Sequence, residues 1–169
     1  MLNIVLFEPE MPANTGNIGR TCVATGTRLH LIEPLGFALS DRMVKRAGMD
    51  YWEHLDVTRY ASFEKFLELN PNAKIYMATT KGHKLYSEVE FEEDAYIMFG
   101  PESRGIPEEI LVDYEDTCIR IPMKDEIRSL NLSNSAAIVI YEALRQQGFN
   151  GMVTEGELHH LKWKSDGNN

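Results

Sequence analysis

The chain has 169 residues, of which 43% are hydrophobic and 25% charged, and these values are typical of one soluble globular domain with a sizeable core. No stretch approaches the roughly 20 apolar residues of a membrane span, and the start, MLNIVLFEPE, reaches Glu8 too early for a signal peptide. The net charge of −9 disfavours a nucleic-acid partner without excluding one.

Apolar, β-rich runs alternate with helical patterns along the whole chain. The predicted strands are 2–7, 29–34, 57–60, 74–80, 95–100 and 118–123; the predicted helices are 18–26, 40–48, 62–70 and Ser133 to Gln147. This alternation predicts an α/β fold, a mostly parallel sheet with helices on both faces. We expect a single domain over 1–150 and a tail over 151–169, partly disordered or with a short helix around Glu157–Lys164.

Polar or glycine-containing sequence follows four of the predicted strands. These segments are 8–20, 80–82, 100–105 and the polar stretch 128–134. In open α/β sheets, ligands bind beyond the carboxyl ends of the strands. Four such segments at one edge exceed what chain connection requires, and they predict a ligand site there.

Several kinds of site are excluded by missing motifs. The chain has no GxxxxGK[ST] loop, no GxGxxG after its first strand and no GxSxG. The adjacent His159 and His160 lack further ligands at a suggestive spacing, so no metal site is predicted. Cys22 and Cys118 have no CxxC spacing, which favours reduced buried thiols in a cytoplasmic protein. What remains is a ligand held by backbone amides, apolar strand ends and a few polar side chains.

Three segments carry a resemblance to a known class of enzymes. NTGNIGR (14–20), FGPESRGIP (99–107) and IRIPMKDEIRSLNLSNSAAIVIYEALRQ (119–146) resemble the three motifs of the SPOUT class of RNA methyltransferases. With the start LNIVLFEPEMPANTGNIGRTC and the phrase LHLIEPLGF, the chain is similar to the YibK/TrmL-like family of tRNA 2'-O-methyltransferases. That family methylates the ribose of the wobble nucleotide, cytidine or modified uridine, in leucine tRNAs.

The resemblance implies features that strand patterns do not predict. It implies S-adenosylmethionine as the cofactor and S-adenosylhomocysteine as the product, bound in a SPOUT fold with a C-terminal trefoil knot. Knots are rare enough that the sequence pattern alone favours an unknotted sheet. It also implies a tRNA substrate and a homodimer whose active sites combine residues of both subunits, with no metal.

The resemblance also assigns roles to individual residues. The cofactor-binding residues are Ala78, Gly100, Glu102, Ile121, Ser129 and Leu130, and the catalytic residues are Arg20, Asn14 and Asn131. Arg20 is the leading catalytic candidate; a guanidinium stays charged, so it would orient the nucleotide and stabilise a developing alkoxide rather than act as a free base.

Four of these assignments have a structural alternative. Arg20 could instead pair with Glu8 or Glu10, and Asn14 could form an ordinary Asx-turn. Gly100 could serve a tight turn before Pro101, and Glu102 could be a first-turn acid of a helix. Beside the cofactor loop, Ser133 or Asn134 is expected to cap the last helix.

The charge is unevenly distributed along the chain. Residues 88–116 contain eleven acidic side chains and one basic side chain, Arg104, so the remaining sequence sums to +1. Arg42, Lys45 and Arg46 cluster within that remainder and fit an RNA phosphate track, although a solvated helix face is an equal alternative.

Two other functions stay open: 2'-O-methylation of another tRNA or rRNA nucleotide, and noncatalytic RNA or nucleotide binding.

Overall fold

Parallel strands form a single sheet in the computed structural model, which describes residues 1–40 and 50–167. The strands are β1 (Asn3–Phe7), β2 (Arg28–Ile32), β3 (Val57–Tyr60), β4 (Ile75–Ala78), β5 (Lys84–Leu85), β6 (Tyr96–Phe99) and β7 (Cys118–Arg120). Their order across the sheet is β3-β2-β1-β6-β4-β7-β5, and every recorded pair within the described ranges is parallel. The prediction of a mostly parallel α/β sheet is confirmed.

Helices cover both faces of this sheet. They are α1 (Pro12–Thr25), α2 (Phe63–Leu69), α3 (Glu108–Leu111) and α4 (Leu132–Gln146), with 3-10 turns at Asp50–His54, Val112–Thr117 and Lys164–Gly167. α1 and α4 pack on one face, and α2 and α3 on the other. Alternate residues of β1 enter the two cores: Ile4 faces α1 and α4, and Val5 faces α2. This double burial explains why the strand is apolar at successive positions.

The register of the central strands brings three strand ends together. Ala78 of β4 pairs with Phe99 of β6 on one side and with Ile119 of β7 on the other. The segments that leave these strands therefore start side by side at one edge of the sheet. This is the edge at which the sequence predicts a ligand site.

Several predicted boundaries differ from the structure. The first helix begins at Pro12 rather than at residue 18, and it ends as predicted at Gly26, which has φ +65°. In the tail, the helical turn covers Lys164–Gly167 instead of Glu157–Lys164. The predicted helix 40–48 lies outside the described residues apart from Ser40.

A buried polar cluster lies on the α2 face of the sheet. His30 is 5% exposed; its Nδ1 lies 2.9 Å from the Tyr60 hydroxyl, and its Nε2 lies 3.0 Å from Oδ1 of Asn3. Burial, followed by the nearby Arg28 charge, lowers the pKa of His30 from 6.5 to about 4. The imidazole is therefore neutral in the folded protein at neutral pH.

This cluster predicts a loss of stability in mild acid. Below pH 6.5 the unfolded chain binds a proton at His30, whereas the folded chain does not. The free energy of unfolding therefore falls as the pH drops from about 6.5 to about 4. The full effect is about 3 kcal/mol. Urea unfolding at a series of pH values should show this loss, and the His30→Gln variant should lack it. The other four histidines are exposed and are present in both proteins, so the difference between the two proteins isolates His30. If the free energy of unfolding changed equally with pH in the wild type and in His30→Gln, the prediction would be contradicted.

Candidate active site

A cavity of about 590 Å³ lies at the carboxyl ends of β4, β6 and β7. It is lined by Met11 and Asn14, by 78–81 with Tyr86, by 99–106, by 119–121 with Met123, and by 128–132 with Ser135 and Val139. Four segments predicted to follow strand ends therefore contribute to one cavity. All six residues assigned to the cofactor by resemblance lie in its lining, as do Asn14 and Asn131.

Gly100 is required by the geometry of its own loop. A Cβ atom at this position would lie 2.1 Å from the backbone nitrogen of Ile106 and 2.2 Å from the carbonyl carbon of Gly105. Real Cβ atoms do not approach backbone atoms so closely, so the loop from 100 to 106 closes only on a glycine. The tight-turn alternative for Gly100 is therefore correct, and the turn itself forms one wall of the cavity.

Glu102 connects this loop to the start of α1. Its carboxylate accepts hydrogen bonds from the backbone N–H groups of Glu10 (2.9 Å) and Met11 (3.1 Å) and from the side-chain amide of Asn14 (3.2 Å). Residues 102–104 form a turn, so Glu102 is not the first-turn acid of its own helix. The carboxylate instead lies at the N-terminus of α1, where the helix dipole favours a negative charge.

Asn131 and Asn14 extend the same network across the cavity. The Asn131 amide donates to Oδ1 of Asn14 at 3.1 Å, while its own oxygen accepts from the backbone N–H groups of Ser133 and Asn134. Asn131 is thus the N-cap of α4, and the expectation that Ser133 or Asn134 caps the helix is wrong. Asn14 is 5% exposed and bonds to two other segments rather than forming a local Asx-turn.

Two further contacts hold the loop after β6 against the segment after β1. Arg104 forms an ion pair with Glu8, and the Ser103 hydroxyl donates to Glu10 at 2.6 Å. Together with Glu102, these contacts fix the relative positions of the first two motif segments. Glu8 and Glu10, the alternative partners of Arg20, are therefore both bonded to this loop.

Arg20 is exposed and does not line the cavity of its own chain. It lies six residues after Asn14, nearly two turns further along α1. Its guanidinium carbon lies 5.0 Å from the centroid of the Tyr51 ring. Within the described residues it forms no ion pair, so the structural alternative with Glu8 or Glu10 does not occur.

The cavity is cationic although the protein is acidic. Four cationic side chains line it, against one carboxylate, that of Glu102; the four are Lys81, Arg104, Arg120 and Arg128. Lys81 pairs with Glu108 at 2.8 Å, whereas Arg120 and Arg128 have no acidic partner among the described residues. Arg120 was not among the predicted site residues, and its only signal in the sequence is a charge inside a predicted apolar strand.

Three predicted RNA-binding residues and several predicted absences remain to be compared with the structure. Arg42, Lys45 and Arg46 lie outside the described residues. Within 1–40 and 50–167, no group of three or more histidine, cysteine or acidic side chains could hold a metal ion. No helix in those ranges is long and apolar enough to cross a membrane. Cys22 and Cys118 are buried free thiols, and burial raises the pKa of Cys22 to about 12.

The parallel sheet and a cavity formed by three methyltransferase-like segments define the class as a SPOUT-type methyltransferase. The chain belongs to the SpoU rRNA Methylase family, whose model matches residues 1–141. It is therefore an enzyme of the methyltransferase class, as the sequence predicted.

Individual relatives narrow the comparison. The chain is 51% identical over 154 residues to the Escherichia coli (strain K12) tRNA (cytidine(34)-2'-O)-methyltransferase, covering 90% of this chain and 98% of the relative. A solved structure concerning the 2-OH methylation of C/U34 on tRNA aligns with a TM-score of 0.83 and 45% identity, covering 89% of this chain and 98% of the other. An AdoMet-bound rRNA methyltransferase from Sinorhizobium meliloti aligns with a TM-score of 0.75 and 26% identity, covering 85% and 56%.

Proposed function

We propose that this protein methylates the ribose 2'-OH of nucleotide 34 in tRNA, with S-adenosylmethionine as the methyl donor. The observation that carries the proposal is the single cavity in which the three motif segments meet, linked by Glu102, Asn14 and Asn131. The names of the relatives that match nearly the whole chain supply the substrate position. By family resemblance, the substrates are leucine tRNAs with cytidine or modified uridine at this position.

The lining of the cavity fits the proposed cofactor. Apolar walls from Ile119, Ile121 and Leu130 suit an adenine ring, and the backbone at the ends of β4, β6 and β7 offers hydrogen-bonding groups. Ala78 and Ser129 are small enough to leave that backbone accessible. Bound S-adenosylmethionine supplies an electrophilic methyl group, and the product is S-adenosylhomocysteine. A metal is not part of the proposal.

The residues of the chain align the reactants and assist loss of the hydroxyl proton. Positioning of two reactants can lower a barrier by several kcal/mol, up to about 7–11 in the best intramolecular cases. Asn14 and Asn131 hold the two segments that border the cavity, and Arg20 would stabilise the developing alkoxide. Because Arg20 lies outside its own cavity lining, we propose that it serves the cavity of the second protomer in a homodimer.

The surface of α4 supports such a dimer. Ile138 is 36% exposed and Tyr141 is 44% exposed on the outer side of this helix, while Val139 and Ile140 lie in the core. Being three residues apart, these two side chains are neighbours on the helix surface and expose apolar area to water. We place the interface on this side of α4, with Tyr141 as an anchor.

We also propose the trefoil knot that the family resemblance implies. β7 lies between β4 and β5, and both of these strands precede it in the chain. The segment 79–95 runs from β4 through β5 to β6, so in the sheet β7 lies between β4 and a part of the loop that leaves β4. The Gln146 side chain of α4 then bonds to Val89 and Phe91 of that loop.

Three further assignments remain proposals. Residues 1–150 form the methyltransferase domain, and residues 151–169 follow it as a C-terminal tail. The protein acts in the cytoplasm, where its tRNA substrate is found. Arg42, Lys45 and Arg46 contact tRNA phosphates.

Nucleoside analysis tests the function directly. Transfer RNA from a strain lacking the gene should lack the 2'-O-methyl group at nucleotide 34 of leucine isoacceptors, and the wild-type gene should restore it. The purified protein should restore the same mark in vitro with labelled S-adenosylmethionine. A methyl group lost from another tRNA or from rRNA would overturn the substrate assignment. Absence of any heat of binding with S-adenosylmethionine would favour a noncatalytic binding protein.

A further inference from the structure

The segment 50–55 is docked on one side of α1, next to Arg20. The Tyr51 hydroxyl donates a hydrogen bond to the backbone carbonyl of Gly16, one turn before Arg20. At Gly19, a Cβ atom would lie 3.2 Å from both the Trp52 ring and the Leu55 side chain. Gly16 and Gly19, the two glycines of NTGNIGR, therefore lie where this segment packs on α1, and neither of them lines the cavity.

Tyr51 is the member of this segment that contacts the guanidinium. The centroid of its ring lies 5.0 Å from the guanidinium carbon of Arg20, within the range of a cation–π interaction. Burial raises the pKa of Tyr51, against an opposing effect of Arg20, so the hydroxyl stays protonated at neutral pH and can donate to Gly16. One end of the side chain is thus fixed to the helix backbone, while its face orients the arginine.

We propose that Tyr51 is a positioning residue for methyl transfer, which holds the Arg20 guanidinium in the orientation that the reaction requires. The inference rests on the proposed catalytic role of Arg20. An exposed arginine samples many rotamers, and ordering one of them costs conformational entropy. A ring already fixed by Gly16 removes much of this freedom before the RNA binds, so the loss of the ring should appear in kcat.

Three variants test the role of the ring. Tyr51→Leu should lower kcat for tRNA methylation between about 10-fold and 100-fold, because small misplacements of a catalytic group have effects of that size. The KM for S-adenosylmethionine should not change. Tyr51→Phe keeps the ring but loses the hydrogen bond to Gly16, so its kcat should lie between that of Tyr51→Leu and that of the wild type. The matched control is Tyr114→Leu, which removes another half-buried tyrosine that packs on Phe63, away from the cavity; it should keep the wild-type kcat.

A double variant shows whether Tyr51 acts through Arg20. If it does, Arg20→Ala with Tyr51→Leu should be no slower than Arg20→Ala alone. A wild-type kcat in Tyr51→Leu, or full additivity of the two losses, would overturn the inference and leave the proposed function intact.

An independent readout does not require activity. The NMR signals of the Arg20 side chain should show a ring-current shift that disappears in Tyr51→Leu and persists in Tyr51→Phe. If the wild-type protein methylated no tRNA, the proposed function would fail. A ring-current shift that persisted in Tyr51→Leu would instead overturn the positioning contact.

Discussion

Replacing Arg20 by alanine should reduce the kcat for tRNA methylation by about 10²-fold to 10³-fold, the usual effect of removing one donor that stabilises a developing oxyanion. The affinity for S-adenosylmethionine should remain within about twofold of the wild-type value, because Arg20 does not line the cavity. The fold should also persist, since the side chain is exposed and its contact with Tyr51 contributes only about 0.5–1 kcal/mol. Single-turnover assays with excess enzyme separate the chemical step from binding.

The matched control is Arg28→Ala. Arg28 is an exposed arginine at the start of β2, at the sheet edge opposite the cavity, and it pairs with Asp56 at 2.7 Å. Its removal should leave the rate unchanged. Arg20→Lys should fall between wild type and Arg20→Ala, because the ammonium keeps the charge but loses the planar fork. A normal single-turnover rate in Arg20→Ala would remove Arg20 from the mechanism.

The sheet was predictable from sequence because its strands have a strong local signal. β1 and β6 are apolar at successive positions, since both of their faces are covered, and polar segments mark their ends. The capping of α2 was also local: the Ser62 hydroxyl accepts from the N–H of Lys65, three residues on. The existence and the edge of the ligand cavity followed from the same local signals.

The first turn of α1 was missed because what supports it is distant in sequence. Gly16 is unfavourable inside a helix, and Met11 provides no side-chain cap before Pro12. The compensating carboxylate comes from Glu102, about ninety residues later. No local pattern could indicate this pairing.

Asn131 shows the same limit from the other direction. The sequence placed it in a ligand loop and assigned the helix cap to Ser133 or Asn134. In the structure the same side-chain amide caps α4 and bonds to Asn14, so the helix cap and the contact beside the cavity occur together. A substitution of Asn131 would therefore also disturb the positions of α1 and α4, and its effect on the rate would include that movement.

Gly100→Ala should be the most damaging single-methyl substitution in the cavity. The added Cβ would lie 2.1 Å from the backbone nitrogen of Ile106, so the loop 101–105 would have to move by about 1 Å or more. We expect the free energy of unfolding to fall by about 3 kcal/mol. Because the same loop carries Glu102 and lines the cavity, the affinity for S-adenosylmethionine should fall at least roughly tenfold.

Urea unfolding and calorimetry with S-adenosylmethionine measure the two effects of Gly100→Ala separately. Gly156→Ala is the matched control, because a Cβ there meets nothing within 4 Å and the residue lies in the tail; neither quantity should change. A Gly100→Ala protein with reduced stability but unaltered affinity would mean that the turn supports the fold without shaping the cofactor cavity. Unaltered stability would mean that the loop can open at little energetic cost, and the close approach of Gly100 to Ile106 would then not be essential to this site.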